Sequence, residues 1–256
     1  MKLLDDRVVL ITGAGRGLGH GVARGLASHG ATILAVSRTV TELDALAEVV
    51  RANDGQIETF PVDIGIPTEV DELIGTVLDR YGRVDALINN AAILRNKPFV
   101  DMTDAEFDET IEVNLQAPTR LIRGFLPAMQ ARGGGAIINV SSRAGVQPFV
   151  NETDYCASKY GLEGFSFSLA MELKPSNVSV NVVTPGFSIK PTSVTAAEFA
   201  QWDDERRAQY RDPIDMADGF AFLALQDGKG ITGQRFNAFE LSEKVRNMGW
   251  NWSNNA

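Results

Sequence analysis

The chain has 256 residues, enough for one large α/β domain with a sizeable buried core. Its 44% hydrophobic and 22% charged residues are those of an ordinary globular protein, which excludes collagen-like, coiled-coil and disordered readings. Lys and Arg number 24 against 33 Asp and Glu, a formal charge of −9, so the chain as a whole is repelled by nucleic-acid phosphates and anionic lipid, and neither is an expected partner.

One cysteine, Cys156, allows no intrachain disulfide and no Cys-rich metal site, which fits a reducing, cytoplasmic setting. The two histidines, His20 and His29, lie in a glycine-rich stretch without a ligand pattern; they read as surface or helix-packing residues, and no metal is expected. The longest run free of Asp, Glu, Lys and Arg, Pro175 to Ile189, is shorter than the ~20 apolar residues of a membrane span. Charged Asp5, Asp6 and Arg7 lead straight into Val8-Val9-Leu10-Ile11, so no export signal is expected.

Strand-like runs at Val8 to Thr12, Ala31 to Ser37, Ile57 to Val62, Val84 to Asn89, Ala136 to Ser141, Val178 to Val183 and Ile231 to Ala238 alternate with helical periods. Seven strands joined by crossovers predict a doubly wound, Rossmann-type α/β fold: a mainly parallel sheet with helices on both faces. Nothing divides the chain, so residues 1–256 read as a single domain. In such sheets ligands sit beyond the carboxyl ends of the strands.

After the first strand comes Gly13-Ala14-Gly15-Arg16-Gly17-Leu18-Gly19, then a helical stretch from Val22 to Ser28. Glycines there let the backbone approach a pyrophosphate, whose charge meets the helix N-terminus. The spacing is Thr-Gly-x-x-x-Gly-x-Gly, not G-x-G-x-x-G, and by itself it also suits a purely structural turn. The second strand ends at Ser37-Arg38. An acid there would hold the 2′-hydroxyl of NAD, whereas Arg38, with Arg16, suits the 2′-phosphate of NADP. NADP(H) is therefore the preferred cofactor, with NAD(H) the second choice; a solvated Arg38 is the other reading.

Thr103-Asp104-Ala105-Glu106 is a capping box opening a helix expected to carry Phe107, Ile111, Leu115 and Ile122 inward together with Asn114. Pro118 has no N–H for the Asn114 carbonyl, so a kink is predicted there. Tyr155 and Lys159 lie four apart in a segment where Leu162, Phe165, Leu169 and Leu173 recur at helical spacing, which puts both on one face. A neighbouring ammonium and a cationic nicotinamide favour the phenolate, making Lys159 the expected tuner of Tyr155. Alone, such a pair also fits a solvated helix face. Residues 187–212, rich in charge with Phe187, Phe199, Trp202 and Tyr210, read as an insert before a helix over Pro213 to Leu225. A mobile lid is the favoured reading of it, with a static cap or an oligomer contact as the alternatives.

Taken together these motifs resemble the short-chain dehydrogenase/reductase family. Thr12 to Gly19 is similar to its cofactor loop, and the likeness continues through Asp63-Ile64, Asn89-Asn90-Ala91-Ala92, Asn114, Ser142 thirteen residues before Tyr155, Tyr155-Cys156-Ala157-Ser158-Lys159, and Pro185-Gly186. The resemblance implies hydride transfer between a nicotinamide and a carbonyl or secondary alcohol. In that scheme Tyr155 is general acid/base, Ser142 bonds the substrate oxygen, Lys159 holds the nicotinamide ribose, and the Asn114 carbonyl holds a water linked to the lysine. The implied cofactor contacts are Gly13, Arg16, Gly17, Leu18, Gly19, Ser37, Arg38, Asp63, Ile64, Asn90, Ala91, Ala92, Tyr155, Lys159, Pro185, Gly186 and Ser188. A homo-oligomer, dimer or tetramer, is implied too.

The departures are specific. Ala92 stands where the family usually has Gly. Asn237-Ala238-Phe239-Glu240-Leu241 replaces an Asp-Gly-Gly ending. No threonine lies four beyond Gly186, leaving Thr192 as a substitute. A regulator would have no reason to keep Ser142, Tyr155 and Lys159 together, and a lyase or dehalogenase on this scaffold would be expected to lose the glycine loop.

Overall fold

In a computed structural model of the chain, residues 2–186, 188–189, 198–199 and 201–250 are described. Strands β1 (Val8–Thr12), β2 (Thr32–Ser37), β3 (Gln56–Pro61), β4 (Ala86–Asn89), β5 (Gly135–Val140) and β6 (Val178–Thr184) form a sheet completed by Arg235–Asn237. Its order is β3-β2-β1-β4-β5-β6 followed by that last strand, and every pairing is parallel. The order reverses between β1 and β4, which is where such a sheet opens a crevice.

Side chains alternate across the sheet, as the two-residue period of a strand requires. Val9, Ile11, Ile33 and Ala35 face α1 (Gly17–Ser28), α2 (Val40–Ala52), and the late helices Ala217–Ala224 and Ala238–Met248. Val8, Leu10, Leu34 and Val36 face α3 (Pro67–Tyr81), α5 (Ala117–Ala131) and α6 (Thr153–Leu173). Both faces are thus covered, and the strands read as nearly continuous apolar runs because neither side meets water.

Two elements differ from expectation. The last strand spans only Arg235–Asn237, not Ile231 to Ala238. Asn181 explains the shortening: its side chain donates to the Ile231 carbonyl and accepts from the Gln234 N–H, so those groups are taken by a side chain in place of a ladder. Asn237 then caps the final helix, its Oδ1 accepting from the Phe239 and Glu240 N–H groups, which ends the strand.

The second difference concerns α4 (Asp104–Ile111), which starts at the expected capping box and passes into a π-helical turn, Glu112–Gln116, before α5. An extra residue per turn rotates the inward face. Thr110, Val113, Asn114 and Ala117 are buried, whereas Phe107, Ile111 and Leu115 are only half-buried. Pro118 is the sequence cause, since it has no N–H to continue an i→i−4 ladder.

Residues 187–212 hold a two-residue parallel pair, β7 (Ser188–Ile189) with β8 (Tyr210–Arg211), and α7 (Asp204–Ala208). Phe187, Lys190 and Thr192 lie outside the described residues. The expected helix at Pro213 is a 3₁₀ turn, Pro213–Met216, continuing as α8 (Ala217–Ala224); the strand Arg235–Asn237 is β9, and α9 is Ala238–Met248. No helix among the described residues is long and apolar enough to cross a membrane.

Candidate active site

The crevice at the switch point is a cleft of about 390 Å³, lined by Gly13, Arg16, Ser37, Arg38, Asp63 and Asn90 among others. Its floor is the glycine turn. A Cβ on Gly19 would sit 2.3 Å from the Gly13 carbonyl oxygen, so no other residue lets the loop close onto α1. Asn90 ties the β4 loop to this turn: its side-chain amide donates to the carbonyls of Thr12 (2.9 Å) and Gly13 (3.1 Å). The Thr12 hydroxyl in turn accepts from the N–H groups of Asn90 and Ala91. Ala91 and Ala92 continue the wall, and Ile64 lies beneath it.

At one end of the cleft Arg16 and Arg38 extend into solvent, their side chains 66% and 60% exposed. Each faces a carboxylate: Arg16 lies 3.8 Å from Glu42, and Arg38 3.5 Å from Asp63. Glu42 in the first turn of α2 also lines the cleft. Neither histidine belongs to the site; His20 contacts the Gly15 carbonyl and His29 pairs with Asp218 at 2.8 Å.

Beyond β5 the character changes. Ser142 follows the strand; its hydroxyl accepts from the Ala144 N–H at 3.2 Å and acts on the Tyr155 phenol against the effect of burial. Lys159 is 2% exposed, donates to the Val140 carbonyl at 2.8 Å, and holds its ammonium 5.6 Å from the centre of the Tyr155 ring. Burial pulls that ammonium down to about 8, with the Glu163 carboxylate opposing. The lowering expected from the ammonium together with a bound nicotinamide is not given by the chain alone. Burial pushes the phenol above its ordinary value, Ser142 pulls the other way, and Glu152 and Cys156 add to the rise. Desolvation is the largest of these effects.

Asn114 joins the two regions. Its amide donates to the Ile93 carbonyl (2.8 Å) and to the Ser158 hydroxyl (3.0 Å), and its oxygen accepts from the Ile93 N–H (2.7 Å). Ile93 lines the cleft, and Ser158 precedes Lys159. The π turn is what presents Asn114 to both.

Pro185-Gly186 follows β6, and a Cβ on Gly186 would collide with the Asn237 side chain at 1.8 Å. Ser188, exposed, begins β7. Farther along the insert the rings of Phe199, Trp202 and Tyr210 meet edge-on or tilted, with centres 5.2–6.1 Å apart, and Arg206 lies 3.6 Å over Trp202.

Several residues escaped sequence reasoning. Asp154, Ser158, Glu163 and Ser166 join Lys159 as buried polar residues on α6. Asp154 accepts from Thr110, which also receives a hydrogen bond from Arg95. Glu163 accepts from Ser141 and from Arg235. Their spacing of three to five along one helix was the available signal, read instead through the apolar period that accompanies it.

Residues 7–202 match the family described as short chain dehydrogenase. A 3-oxoacyl-[acyl-carrier-protein] reductase of Thermotoga maritima is 32% identical over 234 residues, 90% of this chain and 95% of the relative. Human L-xylulose reductase is 38% identical over 207 residues, 80% of each chain. Among solved structures, a metagenomic short-chain oxidoreductase in complex with NADP superposes with a TM-score of 0.78 at 35% identity, covering 91% of this chain and 98% of the other. L-sorbose reductase of Gluconobacter frateurii, complexed with NADPH and L-sorbose, gives 0.82 at 30% identity, covering 92% and 96%.

Proposed function

Because the chain belongs to the short-chain dehydrogenase/reductase family and is an oxidoreductase of that type, we propose that it is an NADP(H)-dependent enzyme interconverting a carbonyl and a secondary alcohol. The residues present fit the cofactor. The glycine turn admits a pyrophosphate, two arginines stand where a 2′-phosphate would be held, and β2 ends in Ser37 with no acid in that place. Gly17, Leu18, Asp63, Ile64, Ala91, Ala92, Pro185, Gly186 and Ser188 complete the proposed contact set. Bound, the nicotinamide supplies or accepts the hydride.

The chain's own residues handle the proton. In reduction the Tyr155 hydroxyl gives its proton to the carbonyl oxygen, and in oxidation the phenolate takes it back. Ser142 donates a hydrogen bond to the same oxygen. Lys159 holds the ribose, and a water on the Asn114 carbonyl passes protons to the lysine from solvent. The observation that supports this reading is the grouping beyond the carboxyl end of β5: the Lys159 ammonium on the Val140 carbonyl and 5.6 Å from the Tyr155 ring, Ser142 two residues past β5, and Asn114 bonded to Ser158 beside the lysine.

The insert is proposed to cover the site, in which case cleavage near Arg206-Arg207 slows when cofactor and substrate are both present. Assembly as a dimer or tetramer belongs to the same proposal and is supported by exposed apolar Phe99, Val100 and Met171. The deciding experiment is a screen of carbonyls and alcohols with NADPH, NADH and their oxidised forms, followed by Tyr155→Phe. The variant is expected to lose roughly 10²–10⁴-fold in rate while binding cofactor as the parent does. Turnover within a few-fold of the parent refutes the role of Tyr155.

A further inference from the structure

Behind the reacting face lies a pair of charges that the proposed proton chemistry does not use. Glu163 is 4% exposed, one helical turn beyond Lys159. Its Oε1 accepts from the Ser141 hydroxyl at 2.6 Å and from Arg235 Nε at 2.9 Å. Arg235, on β9, sends its Nη2 to the Ser142 carbonyl at 2.9 Å. The turn after Ser142 leaves no slack, since a Cβ on Gly145 would meet both the Glu163 and the Ser141 oxygens at 2.5 Å. One fork thus spans the sheet edge, the Ser142 main chain and the helix of Lys159.

The pair is half-buried, the Glu163 side chain 5% and the Arg235 side chain 30% exposed, and what desolvation Glu163 suffers offsets the attraction, so little net stability is expected from it. Its place beside the reacting groups calls for another role. We propose that Arg235 and Glu163 are positioning residues: Arg235 fixes the Ser142 main chain, and the Glu163 carboxylate supplies the counter-charge for the Lys159 ammonium. This rests on the functional reading above. The other titratable or charged groups around Lys159 and Tyr155 are Glu152, Asp154 and Cys156 on or next to α6, and Arg95, which reaches Asp154 through Thr110 from the α4 side. Among them only Glu163 opposes the effect of burial on the lysine.

Glu163→Gln keeps the shape and removes the charge. It is expected to lower kcat about tenfold, with KM for cofactor and substrate within about twofold. In the oxidising direction the alkaline limb of the rate profile should move to lower pH, because Lys159 then loses its proton sooner. Glu163→Asp, which restores the charge, should return the limb toward the parent's. Arg235→Lys keeps a cation without the fork, so kcat should fall a few-fold with the limb unmoved.

A second readout needs no cofactor. The folded-state value of Lys159, about 8, lies below its ordinary 10.5, so folding releases a proton between them and stability from this group rises with pH across that window. Glu163 attracts Lys159 only while the lysine is charged. The melting deficit of Glu163→Gln relative to the parent should therefore be larger near about pH 6.5 than near about pH 9, whereas the lost contact to the permanently charged Arg235 is the same at both. An equal deficit at both pH values, with an unmoved limb, overturns the counter-charge. Unchanged kcat in Arg235→Lys overturns the fixing of Ser142, and this variant stands as the test should Glu163→Gln fail to fold. A parent inactive with every carbonyl and cofactor tried refutes the functional reading alone, while the melting comparison still judges the pair.

Discussion

The two ends of the crevice use charge in opposite ways. At the open end Arg16 and Arg38 stand mostly in water, each beside a carboxylate at 3.5–3.8 Å, where solvent and salt screen every interaction. At the closed end Lys159 and Glu163 are buried, and every polar partner is specified by a hydrogen bond to a strand end or a helix. The lesson is that substitutions at the closed end should cost rate or stability and resist salt. At the open end they should change affinity for one cofactor and fade as salt rises.

The largest expected effect lies at the closed end. Ser142→Ala removes the hydroxyl that opposes the rise of the Tyr155 phenol, and with it the donor proposed for the substrate oxygen. A loss of roughly 10²–10³-fold in kcat is expected, as for other single donors to a reacting oxygen. Cofactor affinity, measured by fluorescence titration, should stay within twofold or so of the parent. A matching loss in cofactor affinity would mean that the two ends are not separable.

Asn114→Leu comes next and reads out as stability. It strands the Ile93 N–H and carbonyl, while the Ser158 hydroxyl loses the Asn114 donor but keeps its bond to the Tyr155 carbonyl. Unsatisfied buried groups cost about 1–3 kcal/mol each, and partial relief by water brings the expected loss to about 2–3 kcal/mol. For a chain of this size that lowers Tm by roughly 4–10 °C. An unchanged melting point would place Asn114 outside the brace between the ends.

How far the site was legible follows the same division. The glycine turn, Ser37-Arg38 and the Ser142, Tyr155, Lys159 spacing are local patterns, visible because one backbone turn or one helix face sets each of them. Asn114 was legible as a buried polar residue, and Pro118 as the cause of a break. The π turn that rotates Thr110 and Val113 inward was not, because a helix interruption fixes where the ladder fails and leaves open how it is repaired. Arg235 and Glu163 are 72 residues apart and meet only because β9 pairs with β6, so no spacing announces them. The overlong seventh strand had a similar origin: Ile231 and Gln234 are held by the Asn181 side chain from another strand.

At the open end Arg38→Ala sharpens the comparison. Under the proposed NADP(H) preference it removes a charge-assisted bond to the 2′-phosphate, worth about 1.5–3 kcal/mol, roughly ten- to a hundredfold in affinity. NAD(H) should bind the variant as it binds the parent, since it has no group there. Titration of both cofactors decides it, and an unchanged ratio assigns Arg38 to its contact with Asp63 alone.

The smallest effect belongs to Glu42. Its carboxylate lines the cleft 3.8 Å from Arg16, with both side chains partly in water, so the pair contributes little to folding. Against a 2′-phosphate, however, Glu42 is a like charge that also occupies one of the two arginines. Glu42→Gln removes both effects at nearly constant volume. NADP(H) is expected to bind about threefold more tightly at low salt, where screening is weak, and NAD(H) to be unaffected; the gain should vanish near 1 M salt, where the screening length is about 3 Å. Stability by thermal melting should move by no more than about 0.5 kcal/mol. Weaker NADP(H) binding in the variant would reverse the sign and make Glu42 the residue that orients Arg16 toward the phosphate. A gain that persists at high salt would show that the open end is less screened than its exposure implies, and the contrast with the buried end would narrow accordingly.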